Sequence, residues 1–200
     1  MATVLQLNAS LFAEQGQSSQ LSNAFVDAWA TAHPGDQVVR RDLANDPLPH
    51  LDAARFTAFI TPPEQRTADQ QAHVAASDVL VDELRAADVV VLGLPMYNFG
   101  VPSTLKAYFD HVARAGVTFR YTATGPEGLL HGKKAYVLAA RGGLYQGTPR
   151  DTQTGYVRDF LAFIGITDVE FVYAEGLSMG PEPKAAALGS ANDSIGRLAG

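Results

Sequence analysis

The sequence predicts an open, doubly wound α/β domain in which five parallel strands alternate with helices. Three observations carry this expectation. Short, almost wholly apolar runs such as "DVVVLGL" (residues 88–94) recur along the chain. A strand covered on both faces reads that way, because both sets of its alternating side chains are buried. Between these runs the apolar residues return at helical spacing. The 200 residues, 46% of them hydrophobic, suffice for one core and contain no linker or internal repeat, so residues 1–200 are expected to form a single domain.

The elements follow in order. "TVLQLNA" is the first strand, and Leu21, Phe25, Ala28, Trp29 and Ala32 then mark one stripe of a helix. "HPG" (33–35) stops that helix, and "QVVRRDL" reads as the second strand. Segment 47–63 is expected to be irregular or only partly helical. A long helix over about 67–87 should turn Ala76, Val79, Leu80 and Leu84 inward, and it leads into the third strand, 88–94. Ser103 is expected to cap the next helix, whose buried stripe is Leu105, Tyr108, Phe109, Val112 and Ala113. Segment 117–131 reads as a long connection suited to the wall of a pocket. "AYVLAA" is the fourth strand. The helix carrying Val157, Phe160, Leu161 and Ile164 ends at Gly165, which can adopt the backbone conformation of a C-terminal cap. "DVEFVYA" is the fifth strand, and a last helix opens near Pro181 and runs through Leu188, Ala191, Ile195 and Leu198.

In such sheets ligands bind beyond the carboxyl ends of the strands, where the winding reverses. The segments after the first, third and fourth strands should therefore meet. The first, "NASLFAEQGQSSQLS", has neither the glycine pattern of a dinucleotide turn nor that of a nucleoside-triphosphate loop. No Lys or Arg precedes Arg40. Its donors are neutral: the hydroxyls of Ser10, Ser18 and Ser19, the amide of Gln17, and the N–H groups that open a helix. Such a set can hold a phosphate dianion, or it can be an ordinary helix start with Ser18 capping and Ser22 exposed. The second, "PMYNFG" (95–100), places four bulky groups in succession where a polar loop is normal. A flat, partly apolar ligand would explain them, and so would a buried turn. The third, "AARGGLYQGTP", has two adjacent glycines, which allow close approach of backbone to a ligand or a plain turn. Together the three loops point to a bound planar phosphate ester.

The stretches "PMYNFGVPSTLKAYFDHVARAGVTFRYTATGPEGLL", "RGGLY", "FIGITDVEFVYAEG" and "SQLS" resemble the FMN-dependent NADH azoreductase and quinone reductase family of flavodoxin-like proteins. The resemblance runs along most of the chain. It implies a flavodoxin-like fold and a cytoplasmic homodimer with FMN near the subunit interface. NADH would be the electron donor, with NADPH an alternative, and quinones and azo compounds the acceptors. Carried across, it puts the FMN phosphate on Ser10, Gly16, Gln17 and Ser18. The ring and ribityl chain would lie against Pro95, Met96, Tyr97, Asn98 and Phe99, and the pyrimidine edge against Ala140, Arg141, Gly142 and Gly143. Phe119, Tyr121 and Phe163 would close over the ring, Tyr121 and Phe163 as substrate contacts from the partner subunit; their residue types alone fit simple core or interface packing equally well. Relatives often carry Ser where this chain has Gly16 and Ala140, so Gly16→Ser is expected to leave FMN binding equal or tighter. No side chain is implied as an obligate acid, since water or Tyr121 could supply protons. Donor and acceptor would use one ring face in turn, a ping-pong scheme.

Other classes find little support. The net charge of −6 is mild and the basic residues are scattered, which argues against a nucleic-acid surface. No apolar stretch is long enough to cross a bilayer. There is no Cys, so thiolate metal sites are excluded, and the five histidines match no ligand spacing. They read as surface or helix-end residues. The acidic residues show no close pair at a strand end, and Arg114 and Arg120 are expected to face solvent or pair between subunits. The alternatives that remain are a flavodoxin-type electron carrier without substrate turnover and an interaction module that has lost its cofactor.

Overall fold

The computed structural model describes all residues from 1 to 200. Seven strands form: β1 (Thr3–Asn8), β2 (Gln37–Asp42), β3 (Val89–Pro95), β4 (Phe119–Thr122), β5 (Gly125–Gly128), β6 (Lys134–Ala140) and β7 (Asp168–Ala174). Five make one parallel sheet in the order β2-β1-β3-β6-β7, while β4 and β5 pair as a separate antiparallel hairpin. Six helices accompany them: α1 (Gln17–Ala32), α2 (Ala53–Ile60), α3 (Ala68–Ala86), α4 (Ser103–Val112), α5 (Thr154–Phe163) and α6 (Pro181–Leu198). The fold is the expected doubly wound parallel sheet.

Strand alternation sorts the core into two layers. In β3, Val90, Leu92 and Leu94 join Leu80, Leu84, Leu105, Phe109 and Leu161 from α3, α4 and α5. Val89 and Val91 of the same strand face the other way, among Leu21, Phe25, Val26, Ala191 and Ile195 from α1 and α6. Every residue of β3 is buried, as both-face coverage requires. From β1 the chain winds out to β2 and later crosses back to β3 on the other side. The carboxyl ends of β1 and β3 therefore flank the switch point. Gly93 lets α1 settle there: a Cβ at this position would lie 2.7 Å from Asn8 Oδ1 and 3.0 Å from the Ser18 carbonyl oxygen.

Several elements differ from the expectation. In α3 it is Val74, Ser77, Leu80, Val81 and Leu84 that face inward, while Ala76 and Val79 are exposed. Hydropathy misplaced the stripe because a serine sits at its centre. The Ser77 hydroxyl donates to the His111 carbonyl oxygen at 2.6 Å and accepts from Arg114 Nη1 at 2.7 Å, so its burial leaves no polar atom unpaired. Ser103 does not cap α4; Pro102 occupies that place and Ser103 is the first helical residue. Segment 117–131 contains the β4–β5 hairpin, whereas segment 47–63 is partly helical as expected, with α2 at Ala53–Ile60. Arg114 faces neither solvent nor a partner. It is buried against Phe59, 4.5 Å from the ring centroid, and pairs with Asp78 at 3.2 Å. His111 is likewise buried, its Nε2 bonded to the Pro49 carbonyl oxygen at 2.9 Å. Together these residues fasten segment 47–63 to α3 and α4. Arg120 faces outward on the hairpin and pairs with Glu127.

Candidate active site

The loop after β1 ends in an unspent set of donors. Gly16, not Ser18, occupies the cap position of α1, and it offers no side chain to the first turn. The N–H groups of Gln17, Ser18 and Ser19 consequently find no acceptor in the chain, as the first turn of a helix leaves them. Ser18 and Ser19 are buried, and neither hydroxyl has a partner. Buried hydroxyls are seldom left so, and two beside three free N–H groups make a ready anion site. Ser22, by contrast, is buried and spent on Asn8 and the Ser19 carbonyl oxygen. Ser10 closes the loop: its Oγ accepts from Phe12 N–H at 3.2 Å and lies 3.3 Å from Tyr97 Oη.

The segment after β3 makes a tight reverse turn. Tyr97 and Gly100 exchange both backbone hydrogen bonds, and Asn98 and Phe99 between them have φ of 50° and 61°. Two-residue turns of this hand favour Asn then Gly, so Phe99 is held in a conformation that bulky residues avoid. Its restraints are identifiable. Gln153, fully buried at the start of α5, donates to the carbonyl oxygens of Pro95 and Gly100, each at 2.9 Å. Thr152 Oγ1 donates to the Phe99 carbonyl oxygen, and Tyr145 meets the Phe99 ring edge-on at 5.7 Å. The Asn98 and Phe99 N–H groups have no acceptor, and the Phe99 side chain is 52% exposed.

The segment after β6 points its donors the same way. The carbonyls of Arg141, Gly142 and Gly143 accept from the N–H groups of Leu177, Ser178 and Gly176, whereas the Gly142 and Gly143 N–H groups have no acceptor. A cleft of about 260 Å³ lies between these two loops, lined by Met96, Asn98, Phe99, Gly142 and Tyr145.

A sequence profile for the flavodoxin-like fold matches residues 2–198. An FMN-dependent NADH:quinone oxidoreductase of Cellvibrio japonicus is 60% identical over 185 residues, 92% of this chain and 93% of that one. The FMN-dependent NADH:quinone oxidoreductase 6 of Burkholderia lata is 55% identical over 195 residues, 98% of each chain. The chain belongs to this family. Among solved structures, an azoreductase of Bacillus anthracis superposes with a TM-score of 0.91 at 32% identity, covering 100% of this chain and 99% of that one. An FMN-dependent NADH-azoreductase of the same species, in complex with FMN, gives 0.88 at 25% identity over the full length of both.

The residues present fit FMN, the cofactor named for these relatives. A phosphate would find the orphaned Ser18 and Ser19 hydroxyls and three N–H groups, and a flat ring would find Met96 and Phe99 flanked by four free N–H donors. Two expectations need correction. A Cβ on Gly16 would collide with both Oγ and Cβ of Ser10, so Gly16→Ser cannot simply add a hydroxyl here. The Arg141 side chain points into the protein: it is 0% exposed, bonded to Asp151 at 2.9 Å and Glu175 at 3.0 Å, and lies over Tyr173. Its N–H is also spent, on the Ala174 carbonyl oxygen. Ala140 is buried, and its carbonyl accepts from Met96 N–H. Phe119, Tyr121 and Phe163 do meet, Phe119 lying 4.2 Å from Phe163 and 5.4 Å from Tyr121 between ring centroids. They cluster at the far end of α5. That helix begins beside the flavin loops and runs ten residues away, about 15 Å at 1.5 Å per residue.

Sequence reasoning missed the supports of this site. Asp151 and Glu175 are distant in sequence yet converge on Arg141 beside the ends of β6 and β7, so acidic residues do gather at a strand end. Burial would raise the Asp151 carboxyl, but hydrogen bonds from Arg141 and Thr154 outweigh it and hold the group below the ordinary 3.8. The only local signal for Gln153 and Asp151 was the polar run "RDTQT" that leads into α5.

Proposed function

We propose that this protein is an FMN-dependent NADH:quinone oxidoreductase that also cleaves azo compounds reductively. The observation that carries the reading is the convergence of unspent donors on one sheet edge: a phosphate-type set at α1 and two N–H pairs around the cleft between Phe99 and Gly142. An electron carrier would need no such cleft beside the ring. FMN, when bound, supplies the chemistry, accepting a hydride and delivering two electrons to the acceptor. The chain does the rest. Ser10, Gly16, Gln17, Ser18 and Ser19 anchor the phosphate without a cation. Pro95, Met96, Tyr97, Asn98 and Phe99 bear on the ring and ribityl chain, with Phe99 as a wall. The turn at Gly142 and Gly143 meets the pyrimidine edge, with Ala140 and Arg141 supporting it from behind, and the Gly142 and Gly143 N–H groups stabilise negative charge developing there, as an oxyanion hole does.

With one ring face walled by Phe99, only a single planar partner fits at a time. Hydride transfer needs reacting atoms roughly 3–3.5 Å apart, so donor and acceptor must occupy the same place in turn. Phe163, at the far end of α5, and Tyr121, on β4 beside it, lie away from the cleft of their own chain. A role for them at the ring requires a second copy, and this supports a homodimer. NADH as donor supports a cytoplasmic site of action; no helix is long and apolar enough to cross a membrane. Heat release of the flavin followed by chromatography tests the cofactor. FMN is expected, because the loop after β1 lacks the glycine pattern for a pyrophosphate, and FAD in the supernatant would overturn the reading.

A further inference from the structure

We propose that Arg141 and Glu175 form a positioning clamp that sets how strongly the Gly142 and Gly143 N–H groups favour the reduced cofactor. The inference rests on the functional reading above and assigns roles to a buried arginine and a partly buried glutamate, neither of which lines the cleft.

Glu175 holds the two ends of the segment from 141 to 146 together. One of its oxygens accepts from Arg141 Nη1 at 3.0 Å, from Tyr145 N–H at 3.0 Å and from Gln146 N–H at 3.0 Å, and the other lies 3.2 Å from Gln146 N–H. The turn between those ends contains Gly142 and Gly143. Arg141 Nη2 reaches the opposite way, to Asp151 Oδ1 at 2.9 Å and Thr154 Oγ1 at 3.2 Å. The guanidinium thus ties the turn to the start of α5, next to Gln153, which holds the Asn98–Phe99 turn. A planar fork can satisfy two carboxylates at fixed angles, whereas an ammonium cannot reproduce that geometry.

The backbone supplies the rest of the restraint. All three carbonyls from Arg141 to Gly143 are fixed by the N–H groups of residues 176–178, immediately after Glu175. With the carbonyls turned to that side, the Gly142 and Gly143 N–H groups are turned away from it. A hydride taken up by bound FMN would add one negative charge to the ring. Donors held in place before the charge appears stabilise it without reorganising. Loosening the clamp should therefore weaken binding of the reduced form more than that of the oxidised form, since the phosphate anchor at α1 is common to both and only the reduced ring carries the extra charge.

Arg141→Lys keeps the charge and loses the fork; Glu175→Gln keeps the shape and one acceptor. Apoprotein of each would be titrated with oxidised FMN, and the midpoint potential of the bound flavin measured against reference dyes. We expect both variants to bind oxidised FMN and to hold the reduced form about tenfold more weakly relative to it. For a two-electron couple that is a fall of about 30 mV. A merely structural role would weaken both forms alike and leave the potential unmoved. An unchanged potential in either folded, flavin-loaded variant overturns the proposal. Failure of the wild-type protein to bind FMN overturns the functional reading as well, so the two failures are distinguishable.

Discussion

Ser18 brings a buried, unpartnered hydroxyl to the opening turn of α1, and the account gives it a charged acceptor. Its removal by Ser18→Ala should weaken FMN binding by about 1.5–3 kcal/mol, the usual worth of a hydrogen bond to a charged group. Fluorescence titration of the apoprotein checks this, and an unchanged affinity would place the phosphate elsewhere. Gly16→Ser should now weaken binding rather than tighten it, because the new Cβ meets Ser10 and displaces the loop. The sequence could show that a hydroxyl was absent at residue 16, but not that Ser10 fills its place. At Asp151 the folded carboxyl is depressed below 3.8, since hydrogen bonds from Arg141 and Thr154 overcome the opposing effect of burial. A depressed carboxyl contributes stability that is complete above its unfolded value and disappears as pH falls through its folded one. Urea midpoints of wild type and Asp151→Asn should therefore differ most near neutral pH and approach one another below about pH 4. A gap that stayed constant into acid would contradict the assignment.

Elements whose burial follows from their own residues were legible in the sequence. β3 and β7 could be placed from apolar runs, and α1 and α6 from their stripes, because a covered strand or a helix face writes its environment into its composition. The β4–β5 hairpin was not. "FRYT" has one buried residue and "GPEG" has Gly and Pro where strands prefer branched residues. What holds the hairpin is tertiary: the Phe119–Phe163 contact and Gly128 packed backbone to backbone on Gly165. The same holds for the site. Its three loops could be located from topology, whereas the braces at Asp151, Gln153 and Glu175 depend on contacts between residues far apart in the chain. Gly128→Ala should accordingly undock the hairpin at a cost of about 1–3 kcal/mol, as overpacking does. Thermal unfolding would measure it, and a variant as stable as wild type would mean that the hairpin is not held there. Gly93→Ala strikes at another element, forcing α1 away from β3, and should lower FMN affinity together with stability.

At the scale of the whole molecule the chain divides its work between its two ends. Cofactor donors collect at the carboxyl edge of the sheet, while Tyr121, 75% exposed, and Phe163 sit at the far end of α5. If Tyr121 and Phe163 act at the ring, a second copy must bring them there, and light scattering should then return twice the chain mass of 21.3 kDa. A monomer with full activity would remove Tyr121 and Phe163 from the site. One cleft is expected to serve NADH and quinone in turn over bound FMN. This is tested most directly by anaerobic mixing in two steps, followed through the yellow colour of the loaded protein. NADH added alone should bleach the protein at one equivalent per protomer and release NAD⁺. A quinone added afterwards should restore the colour, again at one equivalent. Bleaching that requires the quinone to be present already, or no bleaching by NADH at all, would contradict the account.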